Sequence, residues 1–208
     1  MQIKAVASAL AIASLAAAAV PTTGVANLKN ADGLDIKFVF TTEPKGLNVT
    51  ITGKGLTIAK RVLETGYDYH VHVKPVTNGN CSSTGGHLDP TNVGVIKPCD
   101  PKNLTSCQTG DLAGKFGNFM GTEDGVLPFT TYIDTQLKFE GDANNTLVGR
   151  SVVIHNNGTR IACADIITEG SATATPSGSD APKTTSGAVK LAGSLALSGV
   201  VAFMMLAL

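Results

Sequence analysis

Tyr69-His70-Val71-His72-Val73 sets two imidazoles one strand repeat apart inside an apolar run. Side chains alternate faces along a β-strand, so His70 and His72 project to one side and Tyr69, Val71 and Val73 to the other. Two nitrogen donors held this way make half of a metal site. The chain has four histidines in all. The other two, His87 and His155, decide whether the half is completed.

Their settings allow it. His87 lies in the flexible stretch Ser82-Ser83-Thr84-Gly85-Gly86-His87-Leu88-Asp89-Pro90, and His155 ends the apolar run Ser151-Val152-Val153-Ile154 before the turn Asn156-Asn157-Gly158. Around these segments the chain reads as strands. Leu34–Phe40 and Leu47–Thr52 alternate on either side of the turn Glu43-Pro44-Lys45-Gly46. Further strands are expected at Leu56–Val62, Tyr67–Val73, Pro128–Asp134, Gln136–Phe139, Ser151–His155 and Arg160–Thr168. No helical period competes with them, and the pattern leaves an antiparallel sandwich or a barrel open. Between the His70 strand and the next clear one, Lys74–Leu127 holds nine glycines, four prolines and three cysteines. Loops of such length are usually functional or disordered, and the cysteines favour function.

The flanks carry processing signals. Residues 1–19 have a lysine, an apolar run and an Ala-rich end, the pattern of a secretory signal, although the run is short for a membrane anchor. Residues 20–169 form the expected folded domain. Residues 170–190 are rich in Ser, Thr, Ala and Gly and read as a stalk with a lipid-anchor attachment region; residues 191–208 read as the hydrophobic tail that such anchoring removes. A retained tail span is the alternative. Both readings place the product outside a cell, tied to membrane or wall. Sequons at Asn48, Asn80, Asn103, Asn144 and Asn157 suit a glycosylated surface protein. Residues 20–178 keep 13 of the 16 Lys/Arg and 15 of the 16 Asp/Glu, a net charge of −2, too weak to argue for nucleic acid. Four cysteines, Cys81, Cys99, Cys107 and Cys163, suggest two disulfides in an oxidising compartment, with three pairings possible. The absence of a C-x-x-C spacing weakens a thiolate metal site.

Taken together, H-V-H at His70–His72, G-G-H-L at Gly85–Leu88, G-D-L-A-G-K at Gly110–Lys115, V-V-I-H at Val152–His155 and G-T-R-I-A-C at Gly158–Cys163 resemble the copper/zinc superoxide dismutases. The resemblance spans Leu34 to about Ile167. It implies an eight-stranded antiparallel Greek-key barrel with a long disulfide-stapled loop. It also implies one copper ion held by His70, His72, His87 and His155. Cys81 falls with Cys163 on the family's disulfide, which leaves Cys99 to pair with Cys107. Arg160 falls on the arginine that holds superoxide, and Asp111 on a residue that ligates zinc in zinc-containing members.

The departures matter as much. All four histidines are used by copper, so none is left for zinc, and only Asn156-Asn157-Gly158-Thr159 separates His155 from Arg160. The chain therefore resembles the secreted, copper-only branch of fungal cell surfaces, in which a monomer is expected. Asp111 is then expected to accept a hydrogen bond from His87 as an orienting carboxylate. Gln108 stands where copper-only relatives often carry a glutamate, and as an amide it can only hydrogen-bond. Lys115 reads as a solvated surface lysine, with attraction of the substrate at the rim as the lesser reading. The expected activity is disproportionation of superoxide, with Arg160 and His87 as the acting side chains beside copper. A three-histidine zinc hydratase explains neither the fourth histidine nor Arg160; a non-catalytic copper-binding or cell-wall protein on the same fold is the other alternative.

Overall fold

The computed structural model describes residues 20–169 apart from 63, 95–97 and 142–144. The segments read as signal, stalk and tail, and the sequon at 144, lie outside the described residues.

The described residues form eight strands: β1 (Thr23–Lys29), β2 (Asp35–Glu43), β3 (Gly46–Lys54), β4 (Asp68–His72), β5 (Thr130–Asp134), β6 (Ser151–Asn156), β7 (Thr159–Asp165) and β8 (Ile167–Thr168). They form an antiparallel five-stranded sheet ordered β5-β3-β2-β1-β8 and a three-stranded sheet ordered β4-β6-β7. The all-β, antiparallel expectation holds. The closed barrel is better described as a Greek-key sandwich, because the strand ladders stop at the corners. At one corner the chain crosses between sheets through the single residue Ile166, which separates β7 from β8. Elsewhere, isolated bridges such as Tyr67 with Phe119 and Lys54 with Val126 join loop to strand or loop to loop.

The hairpin of β2 and β3 shows how the alternating pattern becomes core. Ile36, Phe38 and Phe40 on β2 and Leu47, Val49 and Ile51 on β3 are all buried, while the residues between them are more exposed. Phe38 also packs against Tyr69, ring centroids 5.8 Å apart, and Tyr69 stacks on Phe119 at 4.1 Å, which ties β4 to the opposite sheet.

One strand was not expected, and two expected strands are not formed among the described residues. β1 was not expected, because Thr-Gly-Val-Ala-Asn-Leu-Lys offers only Ala26 and Leu28 as fully buried side chains. Its pairing along the whole length of β2 forms it all the same. Leu56–Val62 instead forms a short 3₁₀ turn at Ile58–Lys60, with the Thr57 side chain accepting from the Lys60 N–H. Gln136–Phe139 buries Leu137 and Phe139 without joining a ladder among the described residues.

β4 and β6 are covered on both faces. Tyr69, Val71, Val152 and Ile154 face the core, and the opposite face is roofed by the long loop. That roof is hydrogen-bonded onto β4. Leu88 N–H donates to the Val71 carbonyl, Val71 N–H to the Gly110 carbonyl, and Gly110 N–H to the Leu88 carbonyl. The approach is close enough that a Cβ on Gly110 would lie 2.4 Å from the Val71 carbonyl oxygen, which is why glycine stands there.

Candidate metal centre

Register brings three of the four histidines to one face. Directly opposed residues of an antiparallel pair share a face. Asp68 pairs with His155, His70 with Val153 and His72 with Ser151, so His70, His72 and His155 all project from the outer face of the β4–β6 pair. The fourth arrives with the loop: Val73 N–H donates to the Gly86 carbonyl and His72 bridges His87, which lays His87 beside the strand. One ligand-capable nitrogen from each of His70, His72, His87 and His155 lies within 4.8 Å of the others.

The hydrogen bonds separate the two nitrogens of each ring. His72 Nδ1 lies 2.9 Å from the Gly85 carbonyl, His87 Nδ1 lies 2.6 Å from Gln108 Oε1, and His155 Nδ1 faces the Gly158 carbonyl at 3.4 Å. Each acceptor draws the ring proton to Nδ1 and leaves Nε2 with a lone pair. The Nε2 atoms of His72 and His155 then face each other at 3.2 Å, two acceptors pointed at a shared space. His70 is turned the other way. Its Nε2 lies 3.5 Å from an Asp111 carboxylate oxygen, and its buried Nδ1 has no hydrogen-bond partner among the described residues. A buried polar atom without a partner is costly, and a cation among these four nitrogens would satisfy it. Neutral imidazoles with their other nitrogens hydrogen-bonded are the donor set that zinc, copper, iron or nickel accepts.

Burial favours the neutral form of His72, His87 and His155. Burial pulls His72 down to about 3 and His155 down to about 4, with the Arg160 charge adding to the effect, and His87 is also lowered, chiefly by burial. An unfolded chain titrates these rings near 6.5, so between about pH 3 and 6.5 it binds more protons than the folded chain. The histidines' contribution is therefore complete above 6.5 and is lost progressively on acidification through that window. Urea unfolding of the metal-free protein should show a midpoint that falls steadily from pH 7 to pH 4. A midpoint constant over that range would contradict the neutral, buried cluster.

Arg160 stands at the rim, half-buried. Its Nη1 donates to the Cys81 carbonyl at 2.7 Å and to Thr84 Oγ1 at 3.0 Å, and its Nη2 donates to the Gly85 carbonyl at 2.7 Å. A guanidinium has five N–H donors, so this clamp leaves some for an anion. The acceptors come from the short helix Cys81–Thr84 and its cap, which the Cys81–Cys163 disulfide fastens to β7. The second bond joins Cys99 to Cys107, so both expected pairings are present.

Two expectations are corrected. Asp111 was expected to face His87; the acceptor at His87 Nδ1 is Gln108, and Asp111 instead approaches His70 and caps the helix α1 (Leu112–Phe116) by accepting from Gly114 N–H. The reason is positional. Gln108 lies one turn before the helix, on the His87 side, while Asp111 is held at the helix start. Lys115, expected in solvent, is 5 % exposed, and its Nζ lies 2.5 Å from Asp134 and donates to the Thr109 carbonyl at 2.8 Å. Burial lowers the pKa of Lys115, and Asp134 opposes that shift. Nothing in the local sequence pairs residue 115 with residue 134. The sequence reading also missed Asp89, whose carboxylate accepts from Val93 N–H, Gly94 N–H and Gln108 Nε2.

The chain is also similar to known proteins. Residues 35–181 match the family model described as copper/zinc superoxide dismutase. A cell surface Cu-only superoxide dismutase 5 from Candida albicans is 41% identical over 102 residues, covering 48% of this chain and 41% of that protein. A cell surface Cu-only superoxide dismutase from Arthroderma benhamiae is 38% identical over 105 residues, covering 50% of this chain and 28% of that protein. The chain thus spans less than half the length of these two relatives. Among solved structures, a mutant of Candida albicans superoxide dismutase 5 superposes with a TM-score of 0.58 at 35% identity, over 72% of this chain and 90% of that one.

Proposed function

Because the chain belongs to the copper/zinc superoxide dismutase family, matched over residues 35–181, we propose that it is a cell-surface, copper-only enzyme that disproportionates superoxide. The observation that carries this reading is the four-histidine cluster, in which the buried Nδ1 of His70 lacks a hydrogen-bond partner among the described residues, with a clamped arginine beside it. His70 through Nδ1, and His72, His87 and His155 through Nε2, would hold the ion. Copper bound there would supply the Cu(II)/Cu(I) couple that oxidises one superoxide to dioxygen and reduces a second, which takes two protons to become hydrogen peroxide.

The side chains supply the rest. Arg160 offers its unclamped N–H groups to the superoxide anion, and the three fixed acceptors behind it hold the guanidinium in place before the substrate arrives. The Gly85 and Gly158 carbonyls hold the rings of His72 and His155. His87, on the loop rather than a strand, would be the ring best placed to take up and give a proton at Nε2.

The reading is zinc-free. All four histidines of the chain are in the one cluster, and the far nitrogen of His87 is taken by a neutral amide, not left for a second ion. The ligand set comes from a single chain, in keeping with a monomer. The names of the relatives support a place on the cell surface, and the secretory and anchoring signals read at residues 1–19 and 170–208 accord with it.

Superoxide consumption by copper-loaded and metal-free protein tests the proposal, with His155→Ala and Arg160→Ala alongside. Turnover should require copper, vanish in His155→Ala and fall roughly tenfold or more in Arg160→Ala, the scale of removing a charge-assisted contact to the substrate. Tight copper binding without turnover would sink it.

A further inference from the structure

His87 is the histidine held least by the sheet. Its placement depends on what grips its outer nitrogen, and that grip has two parts. Gln108 Oε1 lies 2.6 Å from His87 Nδ1. An amide, however, has two ends of similar shape, one accepting and one donating, and nothing in Gln108 itself decides which end meets the ring. If the NH₂ end faced His87, it would donate to Nδ1, the ring proton would move to Nε2, and the lone pair would point away from the other three histidines.

The choice is made on the far side of the amide. Gln108 Nε2 lies 3.3 Å from Asp89 Oδ2, and a carboxylate only accepts. Asp89 is itself fixed, with Oδ1 accepting from Val93 N–H at 3.0 Å and Oδ2 from Gly94 N–H at 2.8 Å. Its lone pairs therefore point the NH₂ end of Gln108 toward themselves and the carbonyl end toward His87.

We propose that Asp89 is a positioning residue that acts through Gln108: the chain Asp89–Gln108–His87 fixes the His87 proton on Nδ1 and so aims the Nε2 lone pair at the metal centre. The proposal rests on the copper-site reading for its consequence, since an Nε2 lone pair matters only if a metal takes it. Gln108 does here with a neutral acceptor what a carboxylate beside a ligating histidine does elsewhere. It orients the ring without adding negative charge, and it needs a second residue to settle its own orientation, which a carboxylate would not.

The test reads the tautomer directly, in metal-free protein with ¹⁵N-labelled histidine. Wild-type His87 should show ring ¹⁵N shifts of a single tautomer protonated at Nδ1. Asp89→Asn keeps the size of the side chain but presents an NH₂ group that can donate to Gln108; the amide can then turn over, and a population protonated at Nε2 should appear. Gln108→Leu removes the acceptor while leaving the bonds of Asp89 to Val93 and Gly94 intact, and should release the ring in the same way. Copper affinity should fall about tenfold in both, the lower end of the range for losing an outer partner of a ligating histidine. An unchanged Nδ1–H tautomer in both variants would overturn the proposal, as would a tautomer change in Gln108→Leu alone, which would show that the amide needs no anchor. Should Asp89→Asn disturb its turn, Asp89→Ser, which removes the carboxylate from Gln108 without adding an NH₂ group, takes its place: a population protonated at Nε2 is again expected, and a pure Nδ1–H tautomer overturns the proposal. Because these spectra need neither copper nor superoxide, failure of the dismutase reading and failure of this one are separately visible.

Discussion

Lys115→Met should lower the unfolding free energy by about 3–5 kcal/mol, the cost of leaving one partner of a buried ion pair without the other. Both side chains of the pair are fully enclosed, with Nζ 2.5 Å from Asp134 Oδ2. Methionine fills the space left by the lysine stem but strands the Asp134 charge. The second substitution is informative. Asp134 Oδ1 accepts from Gln136 N–H and Leu137 N–H, so Asp134→Asn keeps that acceptor while removing the charge. Lys115→Met/Asp134→Asn should therefore recover most of the loss. Urea denaturation of the two singles and the double gives the coupling. A Lys115→Met cost under about 1 kcal/mol, the worth of an exposed pair, would show that the lysine escapes to water instead. The pair also reaches the centre: the second bond of Lys115, to the Thr109 carbonyl, holds the backbone between Gln108 and Gly110. The single variant should consequently bind copper more weakly as well as unfold more easily.

Removing the Cys81–Cys163 bond, as Cys81→Ser/Cys163→Ser, should cost about 4–5 kcal/mol, because in the chain-entropy model it closes a loop of 82 residues in the unfolded chain. Cys99→Ser/Cys107→Ser closes only 8 and should cost about 2–3 kcal/mol. The difference in denaturation midpoint between the two double variants is the measurement. Equal costs would mean that the unfolded chain is already compact across the longer loop. The first bond should also matter to turnover. Cys81 supplies one of the three acceptors that clamp Arg160, and Thr84 and Gly85, in the same short segment, supply the others. The same Gly85 carbonyl orients His72. Freed from β7, that segment can no longer hold both the arginine and the ligand, and copper-dependent superoxide consumption should drop even where the protein stays folded.

The strands most legible in advance were β2, β3 and β4, whose side chains alternate, and β6, a short unbroken apolar run. Elsewhere the local pattern misled in both directions. β1 has too few large apolar residues to announce itself and exists because it pairs with β2, while Leu56–Val62 and Gln136–Phe139 have the right residues but join no strand ladder among the described residues. The candidate site divides in the same way. Its histidines, arginine and cysteines are distinctive residue types at distinctive spacings, so they could be named before the fold was known. Its hydrogen-bonding partners are common residues, and their roles come only from where the loop sets them down.

For this protein the sequence by itself determined that two histidines share a strand face and that only two others exist to join them. Those are matters of strand period and of count. The tertiary structure alone decided that Gln108, not Asp111, faces His87, that Asp89 sets the orientation of that amide, and that Lys115 is buried against Asp134. Each of these depends on which atoms of a long loop meet across space, where hydrogen-bond direction and the cost of an unpaired buried group select one arrangement, and neither is written in local spacing.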